Sequence, residues 1–234
     1  MNTSVRTDGD LSFPSVSNLY SFFAPRTKNI TIWSIGFNCG GVEADFMESC
    51  GAKVKIFDGR PDAKEKFDAF DTCLKTHKPD PKFPWTEELA KQWILPNLCS
   101  FSPVLPWSMT GNFTINGVET RTEQVDLSGT PRIDIVKIHY PGLETQIIYT
   151  LLNEGYRPGL LFVNWTNHPD ESVPAMLCAG HLQTTGYSLV KNIENYFLYM
   201  YTDTCYYETC SWARTDCDNP MFKEFYSSQI SKGQ

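Results

Sequence analysis

The stretch "ITIWSIGFNCGGVEADFMESCGAKVKIFD", Ile30 to Asp58, changes its hydrophobic period twice. "ITIWSIG" is a short apolar run closed by glycine, the pattern of a buried strand. "GVEADFMESCG" then places Val42, Ala44, Phe46 and Met47 at helical spacing, with Gly51 available as the C-terminal stop. "AKVKIFD", Ala52 to Asp58, alternates as a second strand does. Strand, glycine turn, helix and strand within about 30 residues form a βαβ unit, which implies a parallel sheet and a right-handed crossover.

The same grammar returns at "RIDIVKIHYPGLETQIIYTLLNEGYRPGLLFVNW". Ile133, Ile135, Val136 and Ile138 make a buried strand. The helix "LETQIIYTLLNEG" carries an apolar stripe of Ile147, Ile148, Leu151 and Leu152, and "GLLFVNW" is a further buried strand. "YSLVKNI" and "NYFLYMYTD" are late strand candidates. Ligand sites in open α/β sheets lie at the carboxyl ends of strands, so the turn His139-Tyr140-Pro141-Gly142 is a candidate chemical site.

Between these blocks, from Pro61 to Thr120, the pattern fails. Pro79, Pro81, Pro84, Pro96, Pro103 and Pro106 predict an irregular Pro- and Trp-rich insertion over 61–120, with one short helix from Thr86 to Ile94. Trp85, Trp93 and Trp107 are a candidate wall for sugar stacking or, alternatively, packing residues. Residues 1–28 read as an N-terminal extension and 205–234 as a peripheral C-terminal segment of a single domain.

The 234 residues, 41% hydrophobic and 20% charged, suit one well-buried domain. A formal charge of -7 disfavours a phosphate-backbone binder, so no nucleic-acid partner is expected. No run of about 18 apolar residues is present to span a bilayer. The opening "MNTSVRTDGDLSFPS" lacks the basic segment and apolar core of an export signal, so a cytoplasmic location with reduced thiols is expected. Cys205, Cys210 and Cys217, with Cys178 and His181, match no paired zinc spacing, and no metal is expected.

"SIGFNCGG" supplies Gly36, Gly40 and Gly41 at the start of a helix, where backbone can approach a ligand. Asp58 follows Gly36 by 22 residues at the end of the next strand, where a carboxylate accepts both hydroxyls of an adenosine ribose. NAD and S-adenosylmethionine both use such a site. Asn38 stands at the second glycine position of G-x-G-x-x-G, which obstructs a pyrophosphate but not a cofactor lacking one.

"IWSIGFNCGG", "KVKIFDGRP" and "IDIVKIHYPGLETQIIYTLLNEGYRPGLLFVNW" together resemble the FkbM family of S-adenosylmethionine-dependent O-methyltransferases. Its members read approximately D-x-G-A-N-x-G, then a strand ending E-P, then I-D-x-x-K-I-D-V-E-G-x-E. The resemblance implies a doubly wound α/β fold with a seven-stranded, Rossmann-like methyltransferase sheet. It implies S-adenosylmethionine as cofactor and a carbohydrate or glycoconjugate hydroxyl as acceptor. Carried over by position, Gly36, Asn38 and Gly40, with Phe37 in the same turn, line the methionine portion, and Asp58 holds the ribose. Ser34 stands where the family has an acidic residue. His139 and Pro141 replace the Asp and Glu of K-I-D-V-E-G, while Lys137, Gly142 and Glu144 are retained.

Transfer of a methyl group to a hydroxyl releases a proton, and imidazole, with an ordinary pKa near 6.5, is suited to take it. Lys137 and His139 project to the same side of an extended strand. His139 is therefore the expected base, Lys137 its neighbour, and His168 on the adjacent loop its rival. Tyr140, Asn164, Trp165 and Asn167 are the expected sugar-binding set, with Trp165 as an apolar platform. Two other classes fit the same residues: a degenerate methyltransferase fold that binds cofactor or partner without chemistry, and a nicotinamide-dependent oxidoreductase.

Overall fold

The computed structural model describes residues 31–38, 40–50, 52–82, 86–92, 99–124, 133–193 and 195–201. The expected terminal segments over 1–28 and 205–234, Trp85, Trp93 and the late cysteine cluster lie outside them. β1 (Thr31–Ile35), α1 (Gly41–Cys50) and β2 (Lys53–Phe57) form the βαβ unit read from the first stretch, with β1 and β2 parallel. β7 (Ile135–Ile138), α4 (Glu144–Asn153) and β8 (Leu160–Asn164) form the second, with β7 parallel to both β1 and β8. Two late strands, β9 (Tyr187–Ile193) and β10 (Tyr196–Tyr201), pair antiparallel, and β10 also runs antiparallel to β8.

With β3 (Cys99–Ser102) at the far edge, the sheet order is β3-β2-β1-β7-β8-β10-β9. The order reverses between β1 and β7, the position at whose carboxyl ends sheets of this type receive ligands. One face of the sheet buries Trp33, Ile35, Val136, Ile138, Leu161 and Val163 against Ile147, Ile148 and Leu151 of α4 and Cys178 and Leu182 of a further helix, α5 (Val173–Thr184). Alternation sends Ser34 and Lys137 to the opposite face, where α1 packs.

The stretch from Pro61 to Thr120 is more regular than its prolines predict. α2 (Ala63–Thr76) buries Ala63, Phe70, Cys73 and Leu74, and its exposed side carries Lys66–Asp62, Lys64–Asp68 and Lys75–Asp71 ion pairs at i,i+4 spacing. Pro61 precedes this helix and so costs it no hydrogen bond. A shorter helix, α3 (Glu87–Gln92), lies within the span expected for one. β3 is a strand of the main sheet, and β4 (Leu105–Trp107), β5 (Gly111–Ile115) and β6 (Val118–Gln124) form a separate sheet ordered β4-β6-β5. Its prolines fall at strand margins or in β4, an edge strand, where a missing N–H is tolerated. Trp107 is half-buried against the main core.

The small sheet is fastened to the carboxyl edge of the large one. The Arg121 amide donates to the Gly59 carbonyl at 3.0 Å, and Asn116 Nδ2 donates to the Pro141 carbonyl at 2.7 Å. Thr120 Oγ1 and Tyr140 Oη share a buried hydrogen bond of 3.2 Å. Among the described residues, no helix is long and apolar enough to cross a membrane.

Candidate functional site

The carboxyl ends of β1, β2 and β7 converge through backbone hydrogen bonds. The Gly36 amide donates to Phe57 O and the His139 amide to Ile35 O, each at 2.8 Å. Gly36 has φ +86, and a Cβ there would lie 1.9 Å from His139 O. Only glycine allows this approach. Gly40, at φ +85, is held equally closely, because a Cβ would lie 2.5 Å from the Phe70 ring. Both glycines expected to open a surface to cofactor thus accommodate the chain's own β7 turn and α2. Phe37 is fully buried and its ring packs against Phe67 and Phe70, so its side chain is closed to a ligand. Asn38 is half-buried beside them.

Ser34 is buried, and its hydroxyl donates to Glu43 Oε1. Lys137 Nζ donates to the same oxygen at 2.9 Å and to Gly36 O at 2.8 Å. Glu43 and Lys137 are 1% and 2% exposed, so the ion pair is closed off from water. Lys137, expected beside the chemistry, is a strut beneath the glycine turn instead. Two of its N–H bonds are engaged, one by a carboxylate and one by a carbonyl. Glu43 supplies the acid absent at position 34 as the lysine's counter-ion, and sequence reading missed it. A lysine in a four-residue buried strand signals that a partner must exist.

Asp58 is fully buried, and Oδ2 accepts from the Phe37 amide at 2.8 Å. This bond ties the end of β2 to the β1 turn. The remaining acceptor sites are taken by Arg60, whose amide and Nε reach Oδ1 at 3.0 Å each and whose Nη2 reaches Oδ2 at 2.6 Å. Arg60 Nη2 also donates to Phe37 O at 2.8 Å, and the guanidinium lies over the Tyr140 ring, 5.1 Å from its centroid. Arg60 was not among the expected site residues. Tyr140, expected to meet a sugar, is 3% exposed, and burial, then Asp58, pushes its phenol up to about 12.

His139 is half-buried at the same edge. Burial, followed by the positive charges of Lys137 and Arg60, pushes its imidazole down to about 3. It is neutral at physiological pH and a far weaker base than the ordinary imidazole. Glu144 joins the adjacent loops: Oε1 accepts from the Thr166 amide at 3.1 Å, from Thr166 Oγ1 and from the Gly142 amide at 3.3 Å. Burial raises its pKa. The loop after β8 is thereby brought to the β7 turn, as the parallel pairing of these strands requires.

On that loop Trp165 is 1% exposed and belongs to the core, so its indole offers no platform to a sugar. Leu160 to Val163 of β8 are apolar and buried, Asn164 is half-buried, and burial resumes at Trp165 just past the strand's end. Asn164 is half-buried and Asn167 exposed. His168 Nδ1 accepts from the Asp170 amide at 3.2 Å in a local turn, and its ring meets Phe197 edge-on. Among the described residues no cluster of side chains is suited to a metal ion.

Comparison with solved structures bears on the fold. Residues covering 74% of the chain superpose on methyltransferase FkbM from Methylobacillus flagellatus KT with a TM-score of 0.52 and 10% identity. The chain has a methyltransferase fold. It spans 44% of that protein's length. Lower scores relate it to the SAH-bound Podospora anserina methyltransferase PaMTH1 (TM-score 0.48, 9% identity, 82% of this chain and 80% of that one). The C-terminal domain of precorrin-6Y C5,15-methyltransferase from Rhodobacter capsulatus gives 0.44 at 13% identity, over 85% of this chain and 94% of that one. No protein-family model and no curated protein sequence matches the chain.

Proposed function

We propose that the chain is an S-adenosylmethionine-dependent O-methyltransferase acting on a carbohydrate hydroxyl. The observation that carries this reading is the 2.8 Å bond from the Phe37 amide to Asp58, which joins the ends of β1 and β2 beside the switch point of the sheet. It sets the turn that leads from β1 into α1 against the acid at the end of β2, the region that receives an adenosine-bearing ligand in this sheet type. The residues fit such a cofactor because a half-buried Asn38 and the polar Asp58–Arg60 pair flank the turn. When bound, S-adenosylmethionine supplies an electrophilic methyl group. The acceptor class follows the FkbM resemblance.

The chain's own part is to align and to shield. His139 accepts a hydrogen bond from the acceptor hydroxyl and fixes its approach. An imidazole pushed down to about 3 does not retain the released proton at neutral pH, which passes to water. Proximity and orientation therefore supply most of the acceleration. Asn164 at the end of β8, and Asn167 and His168 on the loop that Glu144 holds beside the turn, supply polar groups for sugar contacts.

Incubation of the purified chain with methyl-labelled S-adenosylmethionine and a panel of mono- and oligosaccharides tests the activity. Label is expected on a sugar oxygen. Cofactor binding without transfer to any carbohydrate would instead favour the degenerate reading.

A further inference from the structure

Asp58 has no acceptor site left for a ribose. A carboxylate offers about four lone-pair positions, and here the Phe37 amide and the Arg60 amide, Nε and Nη2 fill them, with both oxygens sealed from solvent. Arg60 is held from four directions: by Asp58, by Phe37 O, by the Tyr140 ring and by its own turn, in which the Gly59 carbonyl accepts from Arg121. A charge-assisted pair of this kind is expensive to break inside a protein. Its side chain remains 22% exposed where Asp58 is 0% exposed. Nη1 makes no hydrogen bond among the described residues, so the guanidinium keeps two N–H groups unpaired beside Asp58.

We propose that Arg60, not Asp58, meets the ribose of an adenosine cofactor, so that the recognition runs in the reverse sense. The guanidinium donates through Nη1 to the ribose hydroxyl oxygens, and Asp58 is a positioning residue that orients the guanidinium from behind. Hydroxyls accept as readily as they donate, so the ribose is still recognised, but a ligand with no acceptor at these positions is discriminated against. This deepens the proposed cofactor use and rests on it.

The test is a binding cycle between Arg60 and the ribose, read by calorimetry. S-adenosylhomocysteine and its 2′-deoxy and 3′-deoxy analogues are titrated into wild type, Arg60→Ala and Arg60→Lys. Arg60→Lys retains a cation against Asp58 but lacks the second amino group, so it guards against a variant that fails only by leaving a buried carboxylate unpaired. Melting curves establish that each variant is folded. Wild type is expected to bind the parent ligand on the order of tenfold or more tightly than at least one deoxy analogue, as loss of a hydrogen bond to a charged donor implies. Both variants are expected to bind the parent more weakly by a similar factor and to lose that discrimination. Discrimination retained in the variants, or parent affinity unchanged or tightened, overturns the proposal, and tightening would mark Arg60 as an obstruction. Absence of binding by wild type overturns the cofactor reading itself, and this inference with it.

Discussion

Lowering the pH from 7 to 5 should destabilise the protein through His139 alone by about 2 kcal/mol. In the unfolded chain the imidazole titrates near 6.5; in the fold, burial and the charges of Lys137 and Arg60 hold it near 3. The native state thus refuses a proton that the unfolded state takes up below pH 6.5, and stability falls as pH falls through that value. At pH 7 the contribution is only about 0.2 kcal/mol. At pH 5 the unfolded imidazole is almost wholly protonated and the native one is not, which gives about 2 kcal/mol, a figure insensitive to a unit of error in the folded value. The window extends from about pH 6.5 downward, and nothing further is lost from this group below about pH 3. Urea unfolding of wild type and His139→Asn at pH 7, 6 and 5 measures it. The two proteins differ at this residue alone, so the difference between the two pH profiles reports His139. Parallel profiles would show that the imidazole is not held neutral, and would restore it as a general base with an ordinary pKa.

Gly36→Ala should destabilise by several kcal/mol or abolish folding, because a left-handed φ of +86 and a carbonyl 1.9 Å from the new Cβ act together; thermal melts decide it. Lys137→Met leaves Glu43 as a buried, unpaired carboxylate and should cost about 3–5 kcal/mol, while Lys137→Met with Glu43→Met should recover most of that, as measured by chemical denaturation. If the double variant is no more stable than the single one, the strut assignment is wrong. Glu144→Gln should loosen the junction of the two loops, speeding hydrogen exchange at the Gly142 and Thr166 amides while the strand amides of β7 stay protected.

Six strands of the large sheet were legible as largely apolar runs bounded by glycine or turn residues, and both βαβ units stand where the periods change. β3, Cys-Ser-Phe-Ser, is not such a run and lies where an irregular insertion is expected. α2 was obscured by its neighbours. Phe67, Phe70 and Leu74 lie at helical spacing, but the proline-rich stretch that follows dominates a reading of the region. α5 was passed over for another reason: Val173, Met176 and Leu177 are exposed while Ala175, Cys178 and Leu182 are buried, so apolar residues fall on both faces and no stripe is visible. In the site, Asp58 could be read from its place at the end of a strand. Arg60 could not, since its role comes from a turn that folds residue 60 back over residue 58. Burial likewise reversed Trp165 and Tyr140: an aromatic residue at a strand end looks the same in sequence whether it faces a ligand or the core.

The central claim is that the crevice at the β1–β7 switch point takes S-adenosylmethionine. Titration calorimetry of the purified chain with S-adenosylmethionine, S-adenosylhomocysteine and NAD measures this without reference to an acceptor. Saturable one-site binding of the first two, with no heat from NAD, is the result the proposed function predicts. Silence from both methionine-derived ligands, or saturable binding of NAD, would contradict it.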